Sequence, residues 1–480
     1  MFSNDLALAT PQLILAGAAL ALLVLGAFLP KPDRTVGLGA MAALAAATFA
    51  AVTGPQGRAF SGALSADAAS VFAQVVIYLG SLLAVPLGQA WFARRGVRHF
   101  EFPVLIVLAA LGMGMMAGAG DLLSLYIGVE LQSLALYVMA ALLRDDAKAS
   151  EAGLKYFVLG ALSSGLLLYG ASLVYGFSGA IRFDAISIAI QEQGGGSTGV
   201  LFGLVFMICG LAFKVSAAPF HMWTPDVYEG APTPVVAYFA GAPKLAAMLL
   251  FARVLAEAFP DSISQWRQVL ILIALASVAV GALAGLAQSN LKRLWAYSSI
   301  ANVGYAVLGL AAGTAEGFQA MLVFMALYSV AVIGFFACLS GLSRDGRPLE
   351  SLSDMAGLFQ QRPWLSLALT VFALSGLGLP PFGGFWGKYY VFKAAVNAGD
   401  PILLWSAVAA LVGSVIAAFY YLRLVKVMWF DPSPGQTDRP PVEAGAIALG
   451  AAAFTFPVVL VLLPAIDGYA KAAAAALGLG

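Results

Sequence analysis

Apolar residues run along this chain in blocks of about twenty, each closed by a short polar or Gly/Pro-rich interval, from Leu6 to Ala465. Crossing about 30 Å of hydrocarbon at about 1.5 Å per residue takes about 20 residues. The blocks therefore predict helices over 10–29, 35–53, 70–92, 101–119, 121–143, 153–176, 200–218 with a short second piece, 233–258, 267–287, 293–312, 317–342, 363–397 with a break, 402–428 and 442–464. Nowhere does apolarity alternate with the period of two that an outer-membrane barrel strand needs. The expected fold is all-α and integral to the membrane, with about 14 transmembrane helices. No polar domain interrupts the blocks, so residues 1–480 read as a single polytopic membrane domain.

The first apolar block follows Asn4 and Asp5, and its basic residues, Lys31 and Arg34, come after it. A cleaved secretory signal has the opposite order, so this block is expected to stay as a helix. Loop charge tests the helix count independently, because cytoplasmic loops accumulate Lys and Arg. With the N-terminus outside, fifteen of the 25 basic residues fall in inner loops, and only Arg58, Arg182, Arg267 and Lys471 fall outside. Both termini are thus expected on the periplasmic side.

Composition fits this picture: 61% of residues are hydrophobic and 10% charged, against about a quarter charged in soluble domains. The net charge of +1, with no basic or acidic tail, excludes nucleic acid and points to partners within the membrane and to lipid. Cys209 and Cys338 lie in apolar runs, too far apart in sequence for a metal or redox motif, and read as packing. His99 and His221 are the only histidines, so haem, iron–sulfur and zinc ligation is not supplied by this chain. Gly194–Gly196 lacks the strand and the lysine of a phosphate loop and reads as a flexible outer loop. No cofactor and no metal are expected here.

Apart from the residues counted above with the loops, some of them at helix ends, six basic residues remain inside predicted helices: Lys155, Lys214, Lys244, Arg253, Lys388 and Lys393. Arg253 and Lys393 lie near outer helix ends and read as snorkelling to water. The other four need a partner or water, since a charge at bilayer depth costs several kcal/mol. Glu130, in IGVELQSLALY, is the matching acid, with Gln132 and Ser133 beside it to solvate it. Lys155 follows Glu151 by four residues, a spacing that lets the two pair on one helix face. Lys214 precedes Pro219 and His221; the proline removes a backbone donor and predicts a broken helix, the kind of membrane element that marks ion sites. Lys244 follows Pro243, which opens the local ladder and makes room for water. His221 can pass protons near neutral pH.

A second break, SGLGLPPFGGFWG, precedes Lys388. Pro219-Phe220 and Trp223 recur as Pro381-Phe382 and Trp386, displaced by 162 and 163 residues. That similarity predicts two five-helix repeats, and their separation by an odd number of helices makes them inverted. The expected division is three N-terminal helices (1–100), a first repeat (101–260), a second repeat (261–430) and a C-terminal helix (431–480).

The motifs IGVELQSLALYVMAAL, KYFVLGALSSG, FKVSAAPFHMWTPDVYEGAPTPV, LKRLWAYSSIANVGY and PPFGGFWGKYYVF resemble the antiporter-like membrane subunits of bacterial respiratory complex I, over nearly the whole chain. AYSSIANVGY, GGFWGKYYVF and lysine at position 388 resemble the subunit N branch, and no long lateral helix follows as in subunit L. The resemblance implies a proton-translocating subunit of an NADH-quinone oxidoreductase in the bacterial inner membrane, lodged among antiporter-like and small hydrophobic subunits. It implies FMN, iron–sulfur clusters and quinone in other subunits, and no redox centre in this chain. By the same resemblance Glu130, Lys214, Lys244 and Lys388 transfer protons, with Lys155, Glu151 and His221 in support. Glu130 is expected to pair with Lys214 or Lys155 in one state, and Lys388 to release the proton outward. The competing readings are a subunit of a multi-subunit cation/proton antiporter, a scaffold that moves no protons, and a solo secondary transporter.

Overall fold

The structure, a computed structural model, describes residues 2–192 and 197–478. Fourteen helical crossings follow one another: α1 Thr10–Phe28, α2 Pro32–Thr53, α3 Ala68–Arg94, α4 Glu101–Ala117, α5 Leu122–Ala140, α6 Ala147–Ser178, and α7 in two arms, Thr198–Val215 and Trp223–Gly230. After them come α8 Thr233–Ala258, α9 Ile263–Leu286, α10 Leu291–Ala311, α11 Ala315–Gly341, α12 in arms Pro363–Leu377 and Gly383–Asn397, α13 Pro401–Phe430 and α14 Val442–Ala476. Among the described residues, twelve helices are long and apolar enough to cross a membrane alone; α4 and the first arm of α12 are shorter apolar helices. Among the described residues, strands occur only as two short hairpins, 57–66 and 343–348. The Gly194–Gly196 reading lies outside the described residues.

Polar side chains set where several helices begin. Asp67 with Ser70 and Asp121 with Ser124 form reciprocal caps at the starts of α3 and α5, satisfying N–H groups that hydrocarbon could not. Asp146 and Asn290 cap α6 and α10 one way, each side chain accepting from two first-turn N–H groups. Glycines then let crossings approach: a Cβ at Gly112 of α4 would lie 2.5 Å from the Gln132 nitrogen and 2.8 Å from the Gly128 oxygen of α5, the close contact that small residues allow between membrane helices.

α8 is the centre of the molecule, its most apolar stretch buried throughout. It packs against α3, α4, the first arm of α7, and α11. The second arm of α7 sits between α6 and α10. α14 packs on α11 and α3. The outer sides of α1, α6 and α13 carry exposed apolar residues such as Leu20, Leu162 and Val415.

Three expectations shift. α14 runs to Ala476, past the predicted 464: Asp467, which suggests an end, instead takes a 2.5 Å hydrogen bond from Gln319 of α11. Residues 183–192, outside the predicted helices, form a surface helix. Arg253 does not snorkel. Its side chain is fully buried, bonded to Asp67 at 2.5 Å, Glu257 at 2.6 Å and the Ala117 carbonyl at 2.7 Å. A buried guanidinium persists only when so paired, and Asp67 is too distant in sequence for the pairing to be visible there.

Candidate functional site

The two breaks match in detail. Each first arm ends on a residue at positive φ, Ser216 (+67°) and Gly378 (+89°), 162 residues apart. Each is followed by a cis X-Pro bond, at Pro219 and Pro381, again 162 apart. This register sets Lys214 against Gly376 and Asp226 against Lys388. The two breaks thus hold their lysines on opposite arms: Lys214 is the penultimate residue of a first arm, and Lys388 lies six residues into a second arm.

On α5, Glu130, Ser133 and Tyr137 lie at i, i+3 and i+7, a single helix face. Lys214 meets that face: its Nζ donates to Ser133 Oγ at 2.9 Å, Tyr137 OH at 3.5 Å and Ser164 Oγ of α6 at 3.1 Å. Glu130 sits one turn away and is not ion-paired with it, its Oε1 buried without a hydrogen-bond partner. The expected solvation of Glu130 by Ser133 and Gln132 is also absent among the described residues. Ser133 serves Lys214, and Gln132 Oε1 is itself unpartnered.

Lys155 bonds Glu151 at 2.7 Å, as the spacing predicts, and equally Asp226 Oδ2 at 2.7 Å. It is not paired with Glu130. Asp226, on the second arm of α7, accepts in turn from Arg293 of α10 at 2.6 Å. Asp226 lies in a short arm and is partly exposed, so hydropathy does not single it out; the signal that finds it is the 162-residue register with Lys388.

Lys244 is 1% exposed. Its Nζ donates to Ser299 Oγ at 2.5 Å, and Tyr328 OH donates to the same hydroxyl at 2.6 Å. α8 is interrupted at Gly241, just before Pro243 and Lys244. Lys388 Nζ donates to the Gly376 and Leu377 carbonyls at 2.9 and 3.1 Å and to Ser414 Oγ at 2.8 Å, over the Tyr305 ring at 4.7 Å. It caps carbonyls that the break leaves without helical donors. Between these two lysines lies a cavity of about 30 Å³, lined among others by Ser298, Asn302, Tyr328, Ser375 and Gly376. A water needs about 10–15 Å³ and polar partners, and both are present. His221 stands at the α7 break with Nδ1 buried and unpartnered. The structure therefore gathers Lys214 with the α5 face, links Lys244 toward Lys388 through hydroxyls and a cavity, and sets Lys155 and Glu151 apart at the surface.

Among the described residues no cluster of three His, Cys, Asp or Glu side chains could hold a metal ion.

A family described as "NADH:quinone oxidoreductase/Mrp antiporter, TM" matches residues 119–417, which contain both breaks and all four lysines. The chain is 67% identical to the NADH-quinone oxidoreductase subunit N of Caulobacter sp. (strain K31), over 81% of each chain. It is 49% identical to the subunit N of Rhodospirillum rubrum, over 98% of this chain and 97% of that one. A chain of respiratory complex I from Thermus thermophilus superposes with a TM-score of 0.81 at 37% identity, covering 96% of this chain and 99% of that chain.

Proposed function

Because the chain belongs to the membrane family of NADH:quinone oxidoreductases and Mrp antiporters, and follows its subunit N relatives along nearly their full length, we propose that the lysines inside its helix bundle carry protons across the membrane. The chain is a membrane subunit of an NADH-quinone oxidoreductase and acts as part of that translocase, in contact with the other membrane subunits. It sits in the bacterial inner membrane with both termini periplasmic. Flavin, iron–sulfur clusters and quinone belong to other subunits, and electron transfer there supplies the energy.

The observation that carries this reading is the bonding of Lys214, Lys244 and Lys388: among the described residues each ammonium rests on hydroxyls or backbone carbonyls and none on a carboxylate. A lysine locked in a buried ion pair is held in one charge state, since losing either partner is strongly unfavourable. A lysine on neutral acceptors exchanges its proton with modest rearrangement. Glu130, one turn from Lys214 and with its Oε1 unpartnered, supplies the movable counter-charge: bringing it into contact favours the charged lysine, withdrawing it favours release. The proton then passes toward Lys244, with His221 in support, through Ser299 and Tyr328 to the cavity, and on to Lys388 at the outer half. A proton moved against about 150 mV takes about 3.5 kcal/mol, within reach of making and breaking one such contact.

Lys388→Met in the assembled complex tests this reading. The expected outcome is loss of protons pumped per electron in vesicles with flavin and iron–sulfur content unchanged; an unchanged ratio would remove Lys388 from the path. Glu130→Ala and Lys214→Ala separate pumping from scaffolding, since a scaffold loses pumping only in proportion to lost assembly. The antiporter alternative is disfavoured by the full-length match to subunit N relatives.

A further inference from the structure

Lys155 and Asp226 are 41% and 35% exposed, whereas Tyr156 and Trp223, next to them on α6 and on the second arm of α7, are 7% and 2% exposed. The boundary between wet and dry protein on this face is therefore the pair of rings. Tyr156 stacks flat on Trp223, centroids 4.4 Å apart and planes within 9°. Trp223 in turn stacks at 5.5 Å on Phe213 and donates to its carbonyl at 3.1 Å. Phe213 adjoins Lys214, and the edge of Tyr137 closes on Tyr156 at 4.7 Å. The stack thus stands between the Lys155–Asp226 pair and the chamber formed around Lys214 by the hydroxyls of Ser133, Tyr137 and Ser164, where Lys214 itself is partly buried.

Nothing covalent keeps α6 against the short second arm of α7. At the rim two ion pairs join them: Lys148 of α6 meets Glu229 at 3.6 Å, and Asp226 takes Lys155 of α6 on one oxygen and Arg293 of α10 on the other. Arg293 also reaches Glu229 at 3.2 Å. One carboxylate therefore ties elements of both halves of the molecule, at a register where the second half has Lys388.

We propose that Asp226 is a positioning residue for an inner gate: by holding Lys155 against the second arm of α7 it keeps Tyr156 on Trp223 and closes the approach to Lys214, and release of Lys155 from Asp226 admits water. This rests on the reading of Lys214 as a proton-carrying group, but the gate itself is readable without any pumping.

Ser164 Oγ lies 3.1 Å from Lys214 Nζ, so Ser164→Cys reports water access to the chamber. The assembled complex in inverted vesicles, with this face outward, is treated with a small membrane-impermeant methanethiosulfonate, and modification of the introduced thiol is followed by peptide mass. With Asp226 present the expected modification is slow. Asp226→Asn is expected to speed it about tenfold, as loss of a charge-assisted hydrogen bond implies, and Asp226→Glu to restore the slow rate. Equal rates with and without the Asp226→Asn substitution would overturn the gate, as would a fast rate in Asp226→Glu. If Asp226→Asn does not assemble, Lys155→Gln opens the same clamp from α6 and must give the same acceleration; an unchanged rate there also overturns it. Should the gate open as expected while Lys214→Ala leaves pumping intact, the proton path fails and the gate stands.

Discussion

At the scale of single residues, a lysine within an apolar helix is legible in sequence and its partner is not. Lys214, Lys244 and Lys388 stand out because charge inside an apolar block is costly. Ser299 and Tyr328, which hold Lys244, are ordinary residues of α10 and α11 that only tertiary packing brings together. Ser299→Ala removes the hydroxyl that accepts from Lys244, a charge-assisted bond worth about 1.5–3 kcal/mol. Proton translocation per electron is expected to fall about tenfold in that variant, measured by pH-dye quenching in vesicles. Tyr328→Phe deletes only the donor to Ser299 and is expected to cost about 1 kcal/mol, a milder loss in the same assay. Glu130 shows the converse limit: its position on α5 was readable, but its expected contact with Lys214 is occupied by Ser133, three residues along the same face. Helical periodicity places both residues on that face and cannot say which of them the lysine reaches.

At the scale of elements, hydropathy predicts where the chain crosses, and proline and glycine predict where it breaks, because both reduce to local chemistry. α6 exceeds its predicted length by six residues at its start, where Asp146 caps an amphiphilic first turn that includes Lys148 and Glu151. Hydropathy discounts such a turn. The break in α12 depends on Gly378, where φ is +89° and an added Cβ would approach Lys388 Cδ to 2.9 Å. Gly378→Val therefore combines a left-handed backbone penalty of about 1–2 kcal/mol with displacement of the lysine. Pumping per electron is expected to fall well below that of Gly165→Ala, which meets nothing within 4 Å on α6. Gly128→Leu tests a different element contact. An added Cβ there would lie 3.0 Å from the Met116 nitrogen, so the larger side chain is expected to push α5 off α4 and reduce recovery of the assembled complex on native gels.

At the scale of the whole molecule, the question is which way the fourteen crossings face. The fold is a bundle wrapped around α8, and its outer surface is apolar on α1, α6 and α13 alike. Apolar burial therefore fixes the arrangement of helices without choosing a side for either end. The expected orientation comes from the basic residues, of which the sequence sets fifteen in or beside the turns of one face and four in or beside those of the other, an asymmetry retained on the cytoplasmic side during insertion. The face rich in basic loops also carries the Lys155–Asp226–Arg293 cluster, at the start of α6, the end of α7 and the start of α10. Lys393 and Glu316, paired at 3.0 Å, mark the opposite face beyond Lys388. If the cytoplasm lies on the basic side, the proposed path runs from Asp226 inside to Lys388 outside, the direction a respiratory pump needs. A cysteine at Ser3, on the short helix Phe2–Leu8 before α1, reads this orientation directly. An impermeant maleimide is expected to label it in right-side-out vesicles and to miss it in inverted ones, while a cysteine at Ser150 in the loop-proximal turn of α6 gives the reverse. The opposite pattern at both positions would place Lys388 on the entry side and reverse the whole path.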